Sequence, residues 1–141
     1  MLILTNFFPL TRGQPVGPLA RAAMAGGFQQ VVLAVLAVFI APVIEEFLFR
    51  GALLAGFEQS MGRPRAVVLV TTAFVLLHLP EVRHYAPAMI AITGLALLLM
   101  GVRLKTGSIA PSIVLHSCYN LGLVLTFVTM SPPLMTMSPH S

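Results

Sequence analysis

The sequence predicts an all-α protein, a polytopic transmembrane bundle of about four helices. Of its 141 residues, 57% are hydrophobic and only 9% are charged, whereas a soluble domain has about 25% charged residues. Proline and glycine divide the apolar sequence into four blocks, at residues 28–57, 66–79, 86–102 and 109–130. Because a membrane-spanning helix needs about 20 residues, the first and last blocks are long enough, the third is marginal and the second is short. We therefore expect an integral, multi-pass membrane protein.

The two ends of the chain differ from this predicted core, which covers residues 28–130. Residues 1–27 contain two prolines and a glycine between positions 15 and 18, which exclude a long helix there. We expect these residues to form an interfacial N-terminal arm. Residues 131–141 contain three prolines and are expected to form an irregular C-terminal tail.

Three ionisable residues, Glu45, Glu46 and Arg50, interrupt the first apolar block. A charged group at membrane depth costs about 2.5–3.5 kcal/mol on insertion scales, so these residues are expected to line a functional cavity. Glu46 and Arg50 are four residues apart and share a helix face, where the arginine can hold the carboxylate ionised and oriented. Glu45 is rotated by about 100° and has no such partner. We therefore predict a supporting role for Glu46 and Arg50 and a general-base role for Glu45.

The second block ends with His78, two residues before Pro80. Proline disfavours helical backbone at the residue before it, so we expect the helix to end at Leu79, with His78 in its last turn. This position would bring the imidazole near one face of the bilayer, within reach of water.

The fourth block contributes two more polar residues. Gly107 and Ser108 provide a helix stop and an N-cap, so a new helix is expected to begin just after them. His116 and Asn120 follow on one face of that helix, four residues apart. With a free carboxylate and a second histidine from other helices, this pair can help to bind a water molecule and stabilise an oxyanion, which predicts peptide-bond hydrolysis inside the membrane. The alternative role for the pair is interhelical hydrogen bonding, worth about 0.6–2 kcal/mol.

Three motifs in these blocks resemble those of a known family. The motifs are Glu45-Glu46-x-x-Phe49-Arg50-Gly51, Phe74-x-x-x-His78 and His116-x-x-x-Asn120. In order and separation they resemble the motifs of the CAAX-processing and bacteriocin-processing intramembrane protease family, also called the ABI family, over residues 40–125. Any one motif alone is weak, but three of them in separate apolar blocks make a specific combination.

The resemblance implies an intramembrane endopeptidase with a role for each matched residue. Glu45 and His78 would activate the water, and His116 and Asn120 would stabilise the oxyanion. Glu46 and Arg50 would be the supporting pair, whereas Phe49 and Phe74 are interpreted as packing residues.

The resemblance leaves two hypotheses, a mechanism with a metal ion and one without, because members of the family are often described as metalloproteases. No part of the chain has the His-Glu-x-x-His spacing with which one helix supplies two zinc ligands and a base. We favour a mechanism without a metal. The alternative is a Zn²⁺ ion held by Glu45, His78 and His116.

The remaining predictions concern partners. The net charge is +4, but the basic residues are scattered between the apolar blocks, so Arg103, Lys105 and the others are interpreted as loop anchors and no nucleic acid is expected. We expect contact with membrane lipid and with a peptide or membrane-protein substrate. Members of the family that the chain resembles usually have more helices, so the resemblance implies a homo-oligomer or an additional membrane subunit. Two alternative functions are a non-catalytic partner-binding or immunity protein of the same family and a proton-coupled transport module.

Overall fold

The computed structural model describes residues 27–83 and 85–130, where the chain forms a bundle of four helices and no strand. The predicted helical bundle is therefore confirmed. The predicted N-terminal arm, apart from Gly27, and the predicted tail lie outside the described residues. We label the helices α1, Gly27–Met61; α2, Arg63–Val82; α3, Ala86–Thr106; and α4, Ala110–Met130.

Short connections join the helices, and two of them depend on glycine. Gly62 alone separates α1 from α2, with a φ of 79°, and Gly107 ends α3 in the left-handed conformation, with a φ of 70°. Both values are ones that residues with a Cβ atom rarely adopt. After Gly107, the hydroxyl of Ser108 accepts a hydrogen bond from the backbone N–H of Ala110 at 3.2 Å. This agrees with the helix stop and cap expected from the sequence.

Among the described residues, three helical segments are long and apolar enough to cross a membrane: Gly27–Met61, Arg63–Pro80 and Ala86–Thr106. The prediction that the second helix ends at Leu79 is wrong, because α2 continues through Pro80 to Val82. Pro80 removes only its own N–H, and the next turn closes with a 2.9 Å bond from Arg83 N–H to the Leu79 carbonyl. The second segment is thus longer than its apolar block.

Helix α1 contains two π-helical stretches, Leu36–Ile40 and Phe47–Leu53, on either side of the two glutamates. Buried residues of α1 recur at intervals of four: Val38, Pro42, Glu46, Arg50 and Leu54. In a regular α-helix four residues overshoot one turn by about 40°, so the last of these positions would lie about 160° from the first. The wider π turns absorb this rotation. They keep all five positions on the inner face.

The bundle buries a group of polar residues within an apolar core and exposes large apolar side chains on its outer faces. Its buried polar and charged residues are Glu45, Glu46, Arg50, His78, Ser112, His116 and Asn120. Large apolar side chains such as Phe28, Val68, Ile90, Leu97 and Val114 are exposed on the outer faces of all four helices. Apolar outer surfaces of this extent suit a lipid environment, and the interior polar residues form the candidate site.

Candidate active site

The ion pair between Glu46 and Arg50 lies at the centre of the bundle. Arg50 Nη1 is 3.0 Å from Glu46 Oε1, and neither side chain is accessible to solvent. Arg50 Nη2 also donates a 3.3 Å hydrogen bond to the backbone carbonyl of Ala96 in α3. The Glu46–Arg50 contact expected from the four-residue spacing is present, and the hydrogen bond to Ala96 ties α1 to α3.

Phe74 of α2 forms one wall of this site. The guanidinium carbon of Arg50 lies 4.2 Å from the centre of the Phe74 ring, which is a cation–π distance. The same ring lies 4.5 Å from the imidazole of His78 and meets the ring of Phe49 edge to face at 5.2 Å. Phe74 therefore packs as expected and also contacts a charged residue of the site.

His116 joins the ion pair from α4. Its Nδ1 atom lies 3.1 Å from Glu46 Oε1, the same oxygen that Arg50 contacts. Because an ionised carboxylate only accepts hydrogen bonds, the hydrogen of a neutral His116 ring belongs on Nδ1. The Nε2 atom of His116 is then left as an acceptor. The two residues are separated by 70 positions, and no local pattern in the sequence predicts this contact.

Glu45, His78 and His116 converge around a small space. Glu45 Oε2 is 3.8 Å from His78 Nε2 and 3.9 Å from His116 Nε2. These three atoms are buried and have no hydrogen-bond partner. His78 Nδ1 lies 2.8 Å from the carbonyl of Phe74, which can only accept, so the hydrogen of a neutral His78 ring is also on Nδ1. With both rings neutral, three acceptor atoms therefore face one another without a donor between them.

Three acceptors in this arrangement suit either a water molecule, which donates two hydrogens, or a cation. Two imidazole nitrogens and a carboxylate oxygen are donor types that zinc accepts, so Glu45, His78 and His116 fit that ion chemically. As the side chains stand, however, the described residues contain no group of three or more His, Cys, Asp or Glu that could hold a metal ion.

Asn120 has a different contact from the other predicted site residues. Its Nδ2 atom donates a 2.8 Å hydrogen bond to the backbone carbonyl of Ala37, within the first π stretch of α1. Its Oδ1 atom is buried and has no partner. Asn120 lies one turn from His116, but its hydrogen bond is with α1 backbone rather than with Glu45 or His78.

The chain matches a known protein family across the residues of this site. The model of the Rce1-like family, described as type II CAAX prenyl endopeptidase, matches residues 27–122. The chain belongs to this family. No curated protein and no solved structure matches it. The matched region contains the polar cluster from Glu45 to Asn120, and membership in the Rce1-like family supports a membrane-embedded protease in general terms.

Two polar residues of this Rce1-like chain were not predicted as part of the site. Arg103 Nε donates a 3.1 Å hydrogen bond to the backbone carbonyl of Arg50, although the sequence suggested only a loop anchor. Ser112 is fully buried and donates a 3.4 Å bond to the carbonyl of Leu99, which fixes α4 against α3. The one sequence signal for Ser112 is its spacing, because Ser112, His116 and Asn120 follow each other at intervals of four on α4.

Proposed function

We propose that the chain is an intramembrane endopeptidase that hydrolyses a peptide bond with a water molecule activated by Glu45. One observation carries the proposal: Glu45 Oε2 faces His78 Nε2 and His116 Nε2 at 3.8 and 3.9 Å, and all three atoms lack other partners. An unsatisfied buried polar atom costs about 1–3 kcal/mol. Three of them at one place are best explained by a reactant that occupies the space.

The proposed chemical step balances on the atoms of Glu45 and water. As the water oxygen attacks the carbonyl carbon, Glu45 takes one of its protons and a tetrahedral intermediate forms. The protonated Glu45 then gives that proton to the leaving nitrogen while the C–N bond breaks. His78 holds the other hydrogen of the water through its Nε2 lone pair, because its Nδ1 hydrogen is held by the Phe74 carbonyl.

The oxyanion of the intermediate needs hydrogen-bond donors. A neutral His116 has none at Nε2, since its single hydrogen points from Nδ1 to Glu46. We propose that His116 takes a proton from water at Nε2 before the reaction and acts as an imidazolium, with the Glu46 carboxylate balancing its charge. Glu45 Oε2 and His78 Nε2 are then the two acceptors for the hydrogens of the attacking water. Asn120 has a second amide hydrogen besides the one donated to Ala37, and this hydrogen can serve as another donor.

We propose that the reaction needs no metal, because Glu45 supplies a base beside the attacking water. If zinc is bound, Glu45, His78 and His116 would hold it, and the ion would supply an activated water. The role of Glu45 then changes from base to ligand. A chelation experiment separates the two cases.

The substrate proposal follows from the family description and from the apolar surface. The family is named for prenylated CAAX substrates, so we propose a lipid-modified C-terminal peptide or another membrane-bound peptide as the substrate. The exposed apolar faces of all four helices support four membrane spans in contact with lipid. A second copy or an additional subunit can cover part of these faces.

The test compares cleavage by wild type, Glu45→Gln and Glu58→Gln in lipid vesicles that contain a membrane-bound reporter peptide. Glutamine keeps the shape of Glu45 but cannot take a proton, so turnover should fall by about 10²–10⁴-fold while thermal stability is retained. Glu58 pairs with Arg63 near the end of α1, at 2.9 Å and away from the site, so its variant should cleave like wild type. Normal cleavage by Glu45→Gln would refute the assignment. A wild type that cleaves no membrane peptide would favour a partner-binding or transport function.

A further inference from the structure

Each π stretch of α1 leaves one backbone carbonyl without a hydrogen-bond donor from α1 itself. A side chain from another helix donates a hydrogen bond to that carbonyl instead. In the first stretch, Ala41 N–H bonds to the carbonyl of Leu36, five residues back, and so bypasses the carbonyl of Ala37. The next possible donor along α1 is Pro42, which has no N–H. The Ala37 carbonyl instead accepts the 2.8 Å hydrogen bond from Asn120.

The second stretch repeats this arrangement at the supporting ion pair. Leu54 N–H bonds to the carbonyls of Phe49 and Gly51, and so bypasses the carbonyl of Arg50 between them. That carbonyl accepts a 3.1 Å hydrogen bond from Arg103 Nε, which reaches it from the last turn of α3. The donor is a charged guanidinium, and hydrogen bonds from charged donors are roughly twice as strong as neutral ones.

We propose that Arg103 is a positioning residue for hydrolysis, which holds the second π stretch of α1 through the Arg50 carbonyl. This inference rests on the function proposed above. The same residue whose carbonyl Arg103 contacts extends its guanidinium to Glu46, and Glu46 in turn contacts His116. Arg103 thus acts on the His116 ring through two intermediate side chains and does not touch the reacting atoms.

The physical effect of losing Arg103 follows from helix geometry. An α-helical turn is narrower than a π turn, so a stretch that relaxes to α-helix rotates the residues on one side relative to those on the other. The Arg50 guanidinium would then shift relative to Ala96 and the Phe74 ring. A displacement of about 1 Å in a positioned group can lower the rate by about 10²-fold, so a substitution remote from the reacting atoms would lower turnover.

The test uses Arg103→Met, Arg103→Lys and the matched control Lys105→Met, all in the full chain in lipid vesicles. Lys105 is a second basic residue in the same last turn of α3, and it is exposed. We expect Arg103→Met to lower kcat by roughly 10- to 100-fold with little change in KM, because substrate binding is not altered. Arg103→Lys keeps a charged donor and should recover part of kcat, and Lys105→Met should match wild type.

A second measurement makes the test independent of catalysis. Amide hydrogen exchange over residues 47–54 should be faster in Arg103→Met than in wild type and unchanged in Lys105→Met. If wild type proves inactive, the proposed function fails, and the exchange result still decides whether Arg103 holds the stretch. If Arg103→Met does not fold, Arg103→Lys supplies both readouts. Wild-type kcat, or unchanged exchange over residues 47–54, in a folded Arg103 variant would overturn the inference.

Discussion

The guanidinium carbon of Arg50 lies 4.2 Å from the centre of the Phe74 ring, so the buried cation of the site rests on an aromatic face. Arg50 has one anionic partner, Glu46, and one backbone partner, Ala96, while its Nε atom has none. The negative face of an aromatic ring compensates part of the lost hydration, by about 2 kcal/mol or more at a desolvated site. The ring therefore belongs to the electrostatics of the site as well as to its packing.

The first prediction concerns the replacement of the Phe74 ring. Phe74→Leu keeps an apolar side chain but removes the cation–π contact, whereas Phe49→Leu removes a buried ring that lies 6.0 Å from the same guanidinium. Both variants lose packing, so the difference between their losses of unfolding free energy measures the cation–π contact. We expect Phe74→Leu to lower the free energy of unfolding by about 1–2 kcal/mol more than Phe49→Leu, as measured in detergent with matched denaturant series. Equal losses would show that Phe74 serves packing alone.

The second prediction concerns the ion pair itself. Arg50→Ala leaves the Glu46 carboxylate buried without a cation, which costs about 3–5 kcal/mol, so folded yield and activity should both fall. Arg50→Lys should recover only part of the folded yield and activity. A single ammonium cannot contact Glu46 and the Ala96 carbonyl in the way the forked guanidinium does.

The matched control for that prediction is the exposed ion pair of Arg63 with Glu58, at 2.9 Å. Exposed pairs contribute about 0–1 kcal/mol, so Arg63→Ala should accumulate and melt like wild type. Purified yield and melting temperature are the measurements. Normal accumulation of Arg50→Ala would mean that the buried pairing has no energetic consequence.

The sequence could predict those parts of the fold and site that depend on local spacing. The apolar blocks indicated the helices, and the four-residue interval indicated the contact of Glu46 with Arg50. The π stretches could not be predicted, because they depend on which carbonyls find partners on other helices. The contacts of His116 with Glu46 and of Arg103 with the Arg50 carbonyl join positions 70 and 53 residues apart, so no local pattern reports them.

The prediction that the second helix ends at Leu79 failed for a different reason, because a local rule about proline was given too much weight. Pro80 lacks an N–H, but α2 continues past it to Val82. In the turn before Pro80, His78 contacts the Phe74 carbonyl through a hydrogen bond and also packs against the Phe74 ring. Neighbouring helices can compensate a missing backbone bond, so proline is tolerated inside helices that pack in a membrane.

The third prediction separates the roles of the two adjacent glutamates. In Glu46→Gln, the amide can donate a hydrogen to His116 Nδ1, which would move the hydrogen of the neutral ring to Nε2. Turnover should fall because the imidazolium form of His116 loses the carboxylate that balances its charge. Solid-state ¹⁵N NMR of labelled histidine would report the tautomer directly. A ring that keeps its hydrogen on Nδ1 in Glu46→Gln would show that Glu46 does not set the tautomer.

The last prediction concerns the metal. Under the proposed mechanism, Glu45 takes the proton from water without a metal ion, so wild-type cleavage should persist at its full rate after exhaustive chelation. If a zinc-bound water were the nucleophile instead, activity would disappear with the ion and return when zinc is added back. The measurement is cleavage rate per folded protein before chelation, after chelation and after zinc is restored, with zinc content determined on the same samples. A zinc peptidase reconstituted in the same vesicles serves as the control, because its loss of activity proves that the chelator reaches the membrane interior. Chelator-sensitive, zinc-restored cleavage would contradict the metal-free mechanism and make Glu45, His78 and His116 ligands, since these are the residues whose unpaired atoms face one another.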